Sequence, residues 1–224
     1  LFDNQLREPQ QAEKFQAAAR QYGVAVPSMA MSGFFAQSFL TRDNYQDLLN
    51  DCFQTMKLFG SKVAFLPLGG SGKDWQQEGC AAYQQMVSRL RTAGEMAKQE
   101  GITIGIRTGM GAKFDKKLLK KVGSSQIKVY YNFQDAADHH RDICKELRKL
   151  GAQRIVQIHA SNTDSVNLQE DPEINLPKIR KTLDKMGWSG WLVVERSRDV
   201  KRVRDVKYNF GRNIAYLKQV FQER

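Results

Sequence analysis

Six amphipathic stretches that each end in glycine, with a short apolar run following within one to four residues, predict a single α/β domain of parallel strands alternating with helices. The runs are rich in β-branched residues and mostly lack polar alternation, as strands buried on both faces do. Their starts, near residues 24, 62, 102, 127, 154 and 191, are spaced by about one βα unit.

Taken in order, Gly23 leads to Val24–Val26, Gly60 to Val63–Leu66, and Gly101 to Ile102–Ile106. Gly123 leads to Ile127–Tyr131, Gly151 to Ile155–Ile158, and the Gly187/Gly190 pair to Trp191–Val194. Glycine suits the residue just past a helix, where the chain turns left-handed. Helical spacing fills the intervals. Phe15, Ala18, Ala19 and Tyr22 form the first stripe, and Tyr45, Leu48, Leu49, Cys52, Phe53 and Met56 the next. Tyr83, Met86, Val87 and Leu90 follow, then Ile179, Leu183 and Met186, and last Phe210, Ile214, Leu217 and Phe221.

Such a chain fits an open doubly wound sheet or an incomplete barrel. The first βα turn, Met29–Phe35, has no GxGxxG, which counts against a dinucleotide site. The polar opening, Leu1–Glu8, reads as a segment that follows a strand, so one or two βα elements are expected upstream.

With 224 residues, 41% of them hydrophobic, the chain can bury one large core, and residues 1–224 read as one domain. No window approaches eighteen consecutive apolar residues. Cys52, Cys80 and Cys144 have no CxxC spacing, and Cys52 and Cys144 fall on apolar helical positions, as small buried hydrophobes do. Thirty-five Lys and Arg against twenty-four Asp and Glu give a net charge of +11. That balance is compatible with nucleic acid, an anionic surface or an anionic small molecule. The excess gathers at Lys116, Lys117, Lys120 and Lys121, at Lys145, Arg148, Lys149 and Arg154, and between Arg196 and Lys207. The first two groups lie opposite apolar stripes, as solvated helix faces do, and no aromatic residues interleave as base-stacking platforms. Nucleic acid is therefore set aside as a partner, which leaves an anionic surface or an anionic small molecule.

Chemistry in such folds sits where strands end and loops begin. Those ends carry Ser32 and Gly33; Pro67 to Lys73; Arg107 and Thr108; Asn132 to Asp135; His159 to Asn162; and Glu195 with Arg196. The glycine-rich Gly69–Lys73 fails the phosphate-loop spacing, because Asp74 stands where Ser or Thr is required. It reads as a loop covering ligand, with Lys73 a substrate contact and Trp75 a lid. Glu195 directly follows an apolar run, and an unpaired buried carboxylate is costly, so a metal, a base role or an arginine partner is expected. His159 closes its own strand, with Asn162 three residues on, while His139 and His140 are expected at the surface.

From Gly101 onward the strand ends resemble the sugar phosphate isomerase/epimerase family, the xylose isomerase-like TIM barrels. The likeness rests on IGIRTGM (Ile104–Met110), VYYNFQDA (Val129–Ala136), RIVQIHASN (Arg154–Asn162) and, most specifically, MGWSGWLVVERSRD (Met186–Asp199). It implies a (β/α)8 TIM barrel whose third to eighth strands are the six seen here. The family commonly binds Mn, Mg, Zn or Co through Glu, Asp, His and Glu at the last four strand ends. The matching positions are Arg107, Asn132, His159 and Glu195, so the second pair is kept and the first pair replaced.

Two lost carboxylates and an added arginine disfavour a divalent cation, so no metal is expected; if one binds, His159 and Glu195 hold it. The resemblance then implies proton transfer beside a carbonyl, with Glu195 as base and His159 as acid or hydrogen-bond donor. The implied partner is a small carbohydrate or anionic substrate, with Arg107, Asn132, Asn162, Arg196, Lys73 and Trp75 as its expected contacts. Two other readings stand beside it. One is a degenerate barrel that binds a sugar or small anion without catalysis. The other is an endonuclease-like relative, which needs a richer cluster of His and acidic ligands than three histidines supply. The sugar, the oligomeric state (a homo-oligomer included) and the compartment are not legible.

Overall fold

Of the seven glycines that punctuate the sequence, all but Gly190 take positive φ values, from 61° at Gly23 to 86° at Gly151. Each releases the chain from a helix toward a strand, so the predicted alternation is built as expected. The computed structural model describes residues 4–69 and 74–223, and the chain folds into two compact units. One is Leu1–Thr108 with Leu118–Lys128; the other is Gly109–Lys117 with Val129–Arg224.

In the first unit the order is α1 (Pro9–Tyr22), β1 (Ser28–Ala30), α2 (Gly33–Ala36), α3 (Tyr45–Phe59), β2 (Val63–Pro67), α4 (Ala81–Gln99) and β3 (Thr103–Arg107). The strands pair in parallel, with Ser28 opposite Val63 and Val63 opposite Thr103. Phe34, Phe53, Met56, Leu66, Met86 and Leu90 form the fully buried centre. Gly94 sits inside α4 where a Cβ would strike Ser124, so this helix approaches the Ser124 turn more closely than a side chain permits.

Two expectations need correction here. Val24–Val26 is not the first strand, which begins at Ser28; Val24 is exposed. The pairing starts late because β2 begins at Val63, while the preceding segment is tied by the Ser61 hydroxyl donating to the Val26 carbonyl at 2.6 Å. The α1 stripe is also not a core face, since only Ala12 is buried and Phe15 and Tyr22 are exposed.

Two elements, α5 (Ala112–Val122) and β4 (Ile127–Asn132), run from one unit into the other. The second unit continues with α6 (Phe133–Ala137), α7 (Ile143–Leu150), β5 (Ile155–His159), α8 (Leu176–Lys185), β6 (Leu192–Val193) and α9 (Val206–Phe221). Within it, β4, β5 and β6 pair in parallel, with Asn132 opposite His159 and His159 opposite Val193. The lysines of α5 and the basic residues of α7 lie on exposed faces, as the stripe pattern predicts.

The last strand and helix depart from expectation. β6 is two residues long, only half-buried, and preceded by an exposed Trp191. The buried residues of α9 are Asn209, Asn213 and Leu217, while Ile214 is 44% exposed. Phe210, Ile214 and Phe221 instead line an open apolar groove with Trp188 and Trp191. No described helix is long and apolar enough to cross a membrane.

Candidate active site

Parallel pairing brings the ends of β4, β5 and β6 side by side and with them Asn132, His159 and Glu195. His159 Nδ1 lies 3.4 Å from Asn132 Nδ2 and 3.6 Å from Glu195 Oε2. Its ring also stands 4.4 Å from that of Tyr130, tilted by 50°. The imidazole is buried, whereas the Glu195 side chain is 44% exposed. This corrects the expectation of a buried carboxylate. At that exposure the Glu195 carboxylate keeps contact with water, so no full desolvation penalty falls on it.

Asn132 is held by local geometry. It caps α6, its Oδ1 accepting the Gln134 N–H at 2.8 Å. That bond commits the carbonyl oxygen to the helix and leaves the amide nitrogen to face His159. The side chain therefore presents its donor end, not its carbonyl oxygen, toward His159. A side-chain amide nitrogen only donates, so a hydrogen bond from Asn132 to Nδ1 requires that nitrogen to be bare, with the proton of a neutral ring on Nε2.

A buried polar network fixes the loop that follows Glu195. Ser197 is fully buried and, unusually for a residue other than glycine, has φ 70°. Its Oγ accepts the Asn162 N–H at 2.7 Å, and its carbonyl accepts from Asn167 Nδ2 at 3.1 Å and Asn213 Nδ2 at 2.7 Å. Asn209 Oδ1 accepts from Asn167 Nδ2 at 3.0 Å and from the Asp199 N–H at 2.8 Å. The Glu195 N–H donates to Ser161 Oγ at 3.4 Å. Farther out, the Arg198 guanidinium forks onto Asp164, its Nε donating at 2.9 Å and its Nη2 reaching the other oxygen. Those hydrogen bonds hold the Asp164 carboxyl below the usual carboxylate range.

Asn162 is buried; its Nδ2 donates to Glu173 at 2.9 Å and its Oδ1 has no hydrogen-bond partner among the described residues. Arg196 is exposed beside Glu195. Arg107 ends β3 in the other unit, where its carbonyl accepts the Leu68 N–H at 2.9 Å. Lys73 lies outside the described residues. Trp75 is no exposed lid: it is fully buried in the 3-10 turn Asp74–Gln76, because its indole is packed into the core of the first unit. His139 and His140 are exposed as expected. Among the cysteines, burial pushes the Cys52 thiol up to about 12, with Asp51 adding to the shift. Among the described residues, no three His, Cys, Asp or Glu side chains gather where they could hold a metal ion.

The family model described as the xylose isomerase-like TIM barrel matches residues 2–220. The chain belongs to this family. Its fold class is therefore the (β/α)8 barrel, as the strand-end motifs implied. No curated protein matches the sequence. Among solved structures, it resembles D-psicose 3-epimerase with D-tagatose from Clostridium cellulolyticum H10, at 13% identity over 93% of this chain and 82% of that one, TM-score 0.74. It also resembles a sugar phosphate isomerase/epimerase from Parabacteroides distasonis ATCC 8503, at 14% identity over 92% and 74%, TM-score 0.72. An AP endonuclease, family 2, from Brucella melitensis shares the fold at 16% identity over 85% and 80%, TM-score 0.67. At these identities the likeness fixes the barrel and leaves the chemistry to the residues.

Sequence reasoning missed Ser161, Ser197, Asn167, Asn209 and Asn213, which set where Glu195 and Asn162 sit. One signal was present: Asn209 and Asn213 stand four apart, so they share a helix face.

Proposed function

We propose that this xylose isomerase-like barrel is a carbohydrate isomerase or epimerase that moves a proton beside a carbonyl without a divalent metal, using Glu195 as base. The observation that carries this reading is the pairing of an accessible Glu195 carboxylate with a buried His159 whose Nδ1 is engaged by Asn132. Glu195 takes the proton from the carbon next to the carbonyl, and the electron pair of the broken C–H bond moves through the new C=C onto the carbonyl oxygen. His159, in the tautomer that accepts from Asn132 at Nδ1, donates a hydrogen bond to that oxygen through Nε2–H. For isomerisation the hydroxyl proton on the neighbouring carbon passes by way of His159 to the former carbonyl oxygen, Glu195 returns its proton to the former carbonyl carbon, and the C=O bond re-forms on the neighbour. Epimerisation instead returns a proton to the opposite face of the carbon that lost it. Arg196 and the Asn162 Oδ1 supply contacts to hydroxyls or an anionic group.

A divalent ion does not fit the residues of this centre. Among the described residues, His159 and Glu195 find no third His, Cys, Asp or Glu to complete a site, and Asn132 turns a positively polarised N–H₂ toward them. A hard cation wants several oxygen ligands and is repelled by such a donor.

The test is solvent exchange. Purified protein treated with chelator, incubated with D-psicose or D-tagatose in deuterated water, is expected to wash deuterium into the carbon beside the carbonyl, and Glu195→Gln to abolish the exchange. Saturable binding of either sugar without exchange would replace this reading with a binding module. A stoichiometric divalent ion on His159 and Glu195, required for turnover, would overturn the metal-free centre.

A further inference from the structure

Gln157 interrupts an otherwise apolar strand. It sits between Val156 and Ile158 in β5, is fully buried, and neither its Oε1 nor its Nε2 has a hydrogen-bond partner among the described residues. A primary amide offers one acceptor and two donors, and leaving all of them dry inside a protein is strongly unfavourable. An Ile or Leu there would satisfy the packing without that penalty.

The place of the amide is informative. Side chains alternate along a strand, so Gln157 lies on the same face as His159, about 7 Å below it. Register places Tyr130 of β4 opposite Gln157, as Asn132 is opposite His159. Tyr130 is itself buried, and its ring packs at a tilt against that of His159. Two rungs therefore descend this face: Asn132 with His159 at the strand ends, and Tyr130 with Gln157 beneath.

We propose that Gln157 is the floor of a second polar subsite, one rung below His159, that takes a neutral oxygen able both to donate and to accept. The chemistry follows from the amide. An anion would meet Oε1 as well as the donors, and a cation would meet Nε2; a hydroxyl oxygen satisfies both ends. That oxygen is either a resident water or a hydroxyl of a bound polyol. The subsite stands independently of the reaction assigned to Glu195, because its occupant is seen without turnover.

Crystals of the unliganded protein and crystals soaked with D-tagatose test it, together with Gln157→Met, which keeps length and volume but removes both polar atoms. An oxygen within about 3.2 Å of the Gln157 amide is expected in at least one wild-type crystal and in neither Gln157→Met crystal. A resident water appears before soaking, and Gln157→Met then leaves tagatose affinity unchanged. A ligand hydroxyl appears only after soaking, and Gln157→Met then weakens tagatose binding by tenfold or more in calorimetry. A wild-type amide that pairs with protein atoms alone, or meets no oxygen in either crystal, overturns the proposal. So does a Gln157→Met crystal with an oxygen still at that point, which other groups would then be holding. If Gln157→Met fails to fold, the two wild-type crystals decide alone.

Discussion

Replacing Asn209 by alanine strips four hydrogen bonds from one buried point on α9. Its Oδ1 accepts from Asn167 Nδ2 at 3.0 Å and the Asp199 N–H at 2.8 Å; its Nδ2 donates to the Arg202 carbonyl at 2.7 Å and the Asp205 carbonyl at 3.0 Å. Every hydrogen-bonding position of the amide is used. At a net 0.5–1.5 kcal/mol per bond, the four together contribute roughly 2–6 kcal/mol. Arg202 is exposed and Asp205 half-buried, so water can reach their carbonyls after the change, whereas Asn167 is buried and keeps an orphaned donor. A loss of about 2–4 kcal/mol is therefore expected, a large part of the usual stability of a domain. Urea denaturation followed by tryptophan fluorescence measures it, with an unchanged slope showing that the folded state is preserved. Asn209→Asp should be no milder, because its second oxygen would face two carbonyls in place of an N–H₂ group. A loss below about 1 kcal/mol for Asn209→Ala, with the slope unchanged, would show that the network is ornamental and that the Glu195 loop is held by something else.

The Asp164–Arg198 fork makes a pH-dependent contribution. Because the folded-state pKa of Asp164 is lowered, its stabilisation is present above the ordinary carboxylate value of ~3.9 and is lost as pH falls through the folded value. Asp164→Asn should thus be less stable than the parent at pH 7, with the gap closing in acid-unfolding curves below pH ~4; a gap independent of pH would refute the linkage. Gly94→Ala should lose about 1–3 kcal/mol despite better helix propensity, since the new Cβ meets Ser124, and Ser124→Gly should recover most of that loss in thermal melts. Full stability in Gly94→Ala alone would contradict the close approach. Asn132→Asp keeps the α6 cap while turning an oxygen toward His159, so Mn²⁺ binding by calorimetry should tighten at least tenfold over the parent; an unchanged isotherm would mean that the amide donor is not what repels the ion.

Local rules make much of this protein legible from its residues alone. The left-handed turns at Gly23, Gly60, Gly101, Gly123, Gly151 and Gly187 are single-residue requirements, and the motifs at Asn132, His159 and Glu195 mark strand ends that parallel pairing then places together. The same rules misjudge burial. Phe210 and Ile214 have the helical spacing of a core face, yet α9 turns Asn209 and Asn213 inward, because their partners at Asn167, Leu168 and Ser197 come from loops that sequence spacing does not connect. A place beside a glycine-rich loop suggests a lid at Trp75, and only packing puts it in the core. An apolar strand suggests a buried Glu195, but exposure depends on what covers that strand. Where helices stop, where strands end and which polar residues arrive there are written in the chain, since each depends on a few consecutive residues. Which face of α9 is inside, which end of the Asn132 amide meets His159, and how far water reaches Glu195 are settled only on folding. Those follow from segments tens of residues apart coming together, and no period in the chain encodes them.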